Sequence, residues 1–234
     1  MSKNEPFLGV LKVNSHFDRP AGDVASLDSW NIPVKVYVME KSSVFEVVNT
    51  SNNYSEEFIQ GWVDVAEEAI NDGAVAIVTS CGFLATLHHV LQKKFPKTPI
   101  GTSSLLQIPI AERLIEPGKR IGVITFDSEF LSVKHLNAVG ADPSTPIIGV
   151  PHGSSFNRLI RDCEPYDYEE HCKDLIKCAE DLLAQHSDIG GFVLECANMP
   201  PFRNCIRKAT GLPVWDIVTL GNYVYEVGLA RAFQ

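Results

Sequence analysis

Two cysteines in this chain occupy positions where reactive groups are often held. Cys81 follows the apolar run Ala74-Val75-Ala76-Ile77-Val78 and the small residues Thr79 and Ser80, and Gly82 comes next. A short β-branched run of this kind reads as a fully buried strand. Residues 82–95 then recur at helical spacing. The thiol is thus expected at the carboxyl end of a buried strand, where open α/β sheets hold their ligands. Cys196 repeats the arrangement: Phe192-Val193-Leu194 is the strand, Ala197 and Asn198 follow, and Pro200-Pro201 suits the first turn of a helix. Amides at a helix start can hold a thiolate or a substrate carboxylate, and they are expected to draw a cysteine's pKa toward neutrality.

Two thiols facing one planar carbon centre can move protons. One thiolate removes a proton α to a carboxylate or carbonyl, and the other thiol returns one to the opposite face, so configuration inverts with no cofactor. The carbanion needs donors for its charge, expected from groups around Ser80, Gly82, Ser103, Ala197 and Asn198. A single strand-end cysteine reads equally well as an inert small hydrophobe. The repetition argues for chemistry. Gly9 precedes Cys81 by 72 residues and Gly122 precedes Cys196 by 74, while Pro99 follows the first by 18 and Pro213 follows the second by 17.

The elements that must position these thiols follow the same duplication. Strands are expected at about 7–13, 33–39, 74–78 and 99–102, then at 120–126, 147–150, 192–194 and 214–217. Helices are expected between them, at 54–72, 82–95, 103–114, 127–139, 156–161, 168–186, 200–210 and from 217 to the C-terminus. Strands alternating with helices imply parallel sheets. The expected class is α/β, with two pseudo-symmetric Rossmann-like (flavodoxin-like) halves and an active-site cleft between them. Residues 1–116 form the half with Cys81 and residues 117–212 the half with Cys196; residues 213–234 pack back on the N-terminal half.

A net charge of −9 argues against nucleic acid or an anionic membrane surface as the main partner. No apolar run reaches membrane-spanning length, and residues 1–10 carry no signal-peptide core, so the cytosol is the expected compartment. The partner expected is a small carboxylate, in a chain free to form a homo-oligomer. The six cysteines include no CxxC pair, and neither a disulfide framework nor a metal site is expected. Cys172, Cys178 and Cys205 lie in helical stretches and read as buried small hydrophobes, while Cys163 falls in a polar loop. His16 and His152 fall on rim loops, where an ordinary exposed histidine is the plainer reading. Asp18, Arg19 and Asp23 make a charged loop near the cleft, where an arginine can grip a carboxylate. Glu195, on a buried strand, needs a partner.

The strings TSCGF, PIGTSS and LECANMP, with the internal duplication, resemble the aspartate/glutamate racemase superfamily across essentially the whole chain. That superfamily includes amino-acid and hydantoin racemases, maleate isomerase and arylmalonate decarboxylase. The resemblance implies one catalytic cysteine per half, Cys81 and Cys196, with no cofactor. Within the superfamily, CGFL, SSLLQIP and LECANMPPF look most like the algal dimethylsulfoniopropionate lyases, which abstract an α-proton and expel dimethyl sulfide to leave acrylate. The chain lacks the Asn-Thr and Cys-Thr motifs with which amino-acid racemases hold their substrates.

The first expectation is therefore a cysteine-based racemase or epimerase. The second is a lyase that begins with the same proton abstraction, by Cys196. A binding protein that kept the cleft is the third. Substrate contacts are expected from Asn14, His16, Ser80, Gly82, Ser103, Ser104, Ala197 and Asn198. Bulky apolar Phe17, Phe83 and Met199 are expected at the cleft mouth. Cys81 or Cys196 is expected to alkylate near neutral pH ahead of the helical cysteines.

Overall fold

The computed structural model describes residues 5–229. Eight strands run through it: β1 (Phe7–Asn14), β2 (Val34–Ser43), β3 (Ala74–Thr79), β4 (Ile100–Gly101), β5 (Arg120–Thr125), β6 (Ile147–Gly149), β7 (Ile189–Leu194) and β8 (Val214–Trp215). They make two parallel four-stranded sheets, ordered β2-β1-β3-β4 and β6-β5-β7-β8. The halves match in register as well as order: Leu11 pairs with Thr79 at the end of β1–β3, and Ile124 with Leu194 at the end of β5–β7. The expected α/β fold with two like halves is what the chain adopts.

The helices are α1 (Val44–Thr50), α2 (Glu56–Asn71), α3 (His88–Lys94), α4 (Ile108–Ala111), α5 (Val133–Ala138), α6 (Ser155–Asp162), α7 (Tyr168–Gln185), α8 (Arg203–Thr210) and α9 (Ile217–Gly228). Side-chain caps start many of them. Ser43, Ser55, Ser154, Asp167 and Asp216 each accept a backbone N–H from the first turn of the helix that follows. Gly211, in the left-handed region at φ 72°, ends α8.

Several expected helices are shorter. The stretch after Cys81 is a 3₁₀ helix, Gly82–Leu87, before α3 begins. Five of its six residues are buried, so it packs on more than one side and tertiary contacts override its helical spacing. The helix expected over 103–114 reduces to a 3₁₀ turn, Ser104–Gln107, and the single turn of α4. There the serine hydroxyls bond to backbone groups instead of facing solvent, Ser104 Oγ donating to Leu194 O at 2.5 Å. The helix expected from Asp127 begins at Val133, because Asp127 spends its carboxylate on the Glu129 N–H and makes a turn. Helix α1 has no counterpart among the expected elements. Strand β2 runs on to Ser43, past the expected end at 39.

The C-terminal segment serves both halves. β8 pairs with β7 in the second sheet, whereas α9 covers the first, its Ile217, Leu220, Val224 and Tyr225 packing with Leu8, Val10, Ala76 and Val78. The final residues expected in this helix, 230–234, lie outside the described residues. A Cβ on Gly221 would fall 2.5 Å from the Trp30 ring, whose Nε1 is tied to Val24 O at 2.9 Å.

Gly221→Ala therefore sets two effects against each other. Alanine gains about 1 kcal/mol in a helix interior, while overpacking a held ring costs about 1–3 kcal/mol. The expected outcome is net destabilisation, read as a lower midpoint in urea unfolding.

Candidate active site

Cys81 stands two residues past β3 and Cys196 two residues past β7. Both line one narrow cleft at the carboxyl ends of the strands. The wall is largely apolar, from Val13, Phe17, Val44, Val48, Phe83, Phe126 and Ile160. Its polar side chains besides the thiols are Ser80, Arg19, Glu195 and Asn198.

Burial governs the thiols. Cys81 is half-buried as a residue, but its thiol is enclosed, and desolvation followed by the nearby Glu195 pushes its pKa up to about 12. Cys196 is likewise raised well above the ordinary thiol range by the same two causes. The Phe83 and Asn198 amides do pull downward, as the residues after each strand led one to expect, but less than burial pushes. The expected neutral-range pKa is thus overturned: both thiols are held protonated.

The two differ in their surroundings. Arg19 lowers the pKa of Cys81, whereas Asp23 raises that of Cys196. Cys196 Sγ donates to Asn198 Oδ1 at 3.5 Å, and Asn198 Nδ2 donates to Asp23 Oδ2 at 2.6 Å. A carboxylate only accepts, so the amide's NH₂ must face Asp23 and its oxygen must face the thiol. Asp23, 1% exposed, also takes Arg19 Nη1 at 2.9 Å and the Ala25 N–H at 2.8 Å. Arg19 stacks over Phe17 at 4.6 Å, gives Nη2 to Ser15 Oγ, and keeps a buried Nε with no partner.

Glu195 closes the cleft from behind. Its Oε2 accepts from Thr125 Oγ1 at 2.7 Å, and Oε1 is buried without a partner. A Cβ at position 82 would lie 2.3 Å from both the backbone oxygen and Oε1 of Glu195. Glycine at 82 is therefore required by a carboxyl group from the other half. Burial raises the Glu195 pKa to about 7, against the Thr125 hydroxyl and the Phe126 amide.

Of the residues expected to contact substrate, Ser80, Gly82, Ala197 and Asn198 line the cleft with the two cysteines. The others do not. Asn14 gives Nδ2 to Glu40 O, His16 is exposed, and Ser103 Oγ accepts the Leu105 N–H. Ser104 bonds across to Leu194 O of β7 and helps hold the seam, while Ser103 only caps its own 3₁₀ turn. Phe17 and Phe83 line the cleft as expected, but Met199 is fully buried among Phe156, Phe202 and Ile206. Val44 and Val48 were missed with α1; the apolar spacing of Val44, Val47 and Val48 behind the cap Ser43 was the available signal. Thr125, Phe126 and Ile160 carry no such signal. Away from the cleft wall, Asp127, Glu129 and the exposed His152 bring ligand atoms within 4.8 Å of one another, with Asp127 already taken up by the Glu129 amide.

No family model matches the chain. In sequence it is similar to a dimethylsulfoniopropionate lyase of Durusdinium sp. clade D, 28% identical over 223 residues, covering 92% of this chain and 73% of that protein. Dimethylsulfoniopropionate lyase 3 of Emiliania huxleyi (strain CCMP1516) is 26% identical over 231 residues, and the chain spans only 59% of its length. In fold it matches a mutant of arylmalonate decarboxylase in its sulfate-associated form, with TM-score 0.66 at 15% identity over 97% of this chain and 95% of that one. Allantoin racemase from Pseudomonas fluorescens matches with TM-score 0.54 at 15% identity, over 97% and 93%. The chain thus has the two-sheet α/β fold of these decarboxylase and racemase structures, and its sequence relatives carry the lyase name.

Two outcomes follow from this geometry. Gly82→Ala is expected to cost about 1–3 kcal/mol in urea unfolding, since backbone and a buried carboxyl must move. At pH 7, iodoacetamide with peptide mapping is expected to label the exposed Cys163 ahead of the enclosed Cys81 and Cys196.

Proposed function

We propose that this enzyme is a lyase that takes the α-proton of a small carboxylate and expels a neutral sulfide from its β-carbon, as dimethylsulfoniopropionate would give dimethyl sulfide and acrylate. The sequence likeness to named dimethylsulfoniopropionate lyases over 92% of the chain carries this reading. The cleft suits it. Arg19 Nε is a buried donor on the wall with nothing to bind, fit for one carboxylate. The second carboxylate of aspartate would meet Glu195 and Asp23 with no further cation on the wall. A sulfonium would instead meet the rings of Phe17, Phe83 and Phe126, at about 0.5–2 kcal/mol per contact.

In this reaction Cys81 is the base. From the sequence alone that part was expected of Cys196. The surroundings favour Cys81, because Arg19 eases its ionisation while Asn198 and Asp23 keep the proton on Cys196. The Cys81 thiolate takes the α-proton, the C–H pair becomes the C=C bond, and the sulfonium sulfur takes the C–S pair and leaves as the neutral sulfide. Cys196 donates toward the charge that grows on the substrate.

Racemisation is the second reading, favoured by one observation: both cysteines line the same cleft. Incubation in deuterated water with dimethylsulfoniopropionate and a panel of small acids, followed by NMR, separates the two. Release of dimethyl sulfide and acrylate is expected; α-deuterium exchange with no fragmentation would favour the racemase, and no exchange or release from any acid would sink both. Cys81→Ser is expected to lose about 10²–10⁴-fold in turnover, and Cys196→Ser distinctly less. Equal losses would instead point to two-base chemistry.

A further inference from the structure

Glu195 is the polar group of the cleft that this reaction leaves without a task. Its place in the fold shows how unusual it is. Ser80 N–H donates to Leu11 O at 2.9 Å in the first half, and Glu195 N–H donates to Ile124 O at 2.8 Å in the second, so the two residues are equivalent in the repeat. Ser80 Oγ accepts the Val13 N–H just past β1. A hydroxyl suffices for that strand-end duty. The second half has a carboxyl there instead, and its extra oxygen is buried, unpartnered and pressed against the Cys81–Gly82 turn of the other half.

We infer that Glu195 and Cys81 share a single negative charge, the Glu195 carboxylate taking up the proton when the Cys81 thiolate forms. The transfer moves one proton from sulfur to oxygen and leaves the charge of the pair at one, so the dry cleft never carries both anions. This rests on the cysteine-based reading above. After the thiolate has taken the substrate's α-proton, Cys81 is a thiol again, and Glu195 returns to the carboxylate by losing its stored proton to water through the cleft.

The neighbours fit this role. The charge of Glu195 is felt by Cys81, Cys196 and Tyr54, and in each case it favours the protonated form. Among the groups lining the cleft Arg19 supplies the cation, already paired with Asp23. With Glu195 near 7, the sign is fixed. Below that pH the carboxyl is already protonated, and thiolate grows tenfold per pH unit as protons are lost to water. Above it the pair has lost its one shared proton, and the thiolate fraction levels off.

The test needs no substrate, so it can fail while the lyase reading stands, and the deuterium experiment can fail while this stands. The rate of Cys81 alkylation by iodoacetamide is followed by peptide mapping from about pH 5.5 to 9. In the wild-type protein the rate is expected to climb to about pH 7 and then level. Glu195→Gln, close in shape and always neutral, is expected to remove the bend, so that Cys81 reacts about tenfold faster than wild type at pH 8 and about a hundredfold faster at pH 9. A bend that persists in Glu195→Gln overturns the proposal, as does slower labelling at every pH. Should that variant not fold, Thr125→Val serves. Losing the hydroxyl that steadies the carboxylate is expected to move the bend to higher pH, and an unmoved bend overturns the proposal.

Discussion

The two halves of this enzyme meet where Glu195 lies against the Cα of Gly82, closer than any side chain would permit. Much else depends on that approach. It brings the ends of β3 and β7 together, so that thiols 115 positions apart in the chain line one cleft. Ser104 reinforces the seam by donating across it to Leu194 O, and its buried hydroxyl replaces water that a looser junction would admit. Helix α9 adds a third tie: it follows β8 of the second sheet and then lies over the first.

A seam this close leaves a dry cleft, and a dry cleft tolerates little charge. Cys81, Cys196, Glu195 and Asp23 can each be anionic, and Arg19 is the cation on the same wall. The structure meets this by keeping protons on. Both thiols and Glu195 are raised by burial, and Asp23 accepts hydrogen bonds from Arg19, Asn198 and the Ala25 amide. The Arg19–Asp23 pair thus sits at one side of the site, and this imbalance separates two cysteines that the repeat makes formally equivalent. The difference comes from the loop after β1, which the second half does not copy in charge.

The fold is common to racemases and to arylmalonate decarboxylase, and the fold does not choose among reactions. The wall of the cleft bears on that choice. Here it offers aromatic and aliphatic side chains, two thiols and the Arg19 guanidinium, whose Nε is buried without a partner.

Much of this was legible in the sequence because it is local. Short β-branched runs ending in small residues mark buried strands, and the repeated spacing of Gly9, Cys81 and Pro99 against Gly122, Cys196 and Pro213 marked two halves with a thiol each. What the sequence could not determine depended on desolvation and on contacts between distant segments. Amides after each strand suggested acidic thiols, but burial, which no local pattern measures, outweighed them. Ser103 and Ser104 read as substrate contacts, but Ser103 caps its own turn and Ser104 bonds across the seam; Met199 read as cleft lining and is core. Glu195 and Gly82 were each visible alone, and only the tertiary structure put a carboxyl from one half where the other half can have no side chain, because that distance is set by the packing of two sheets and by no spacing along the chain.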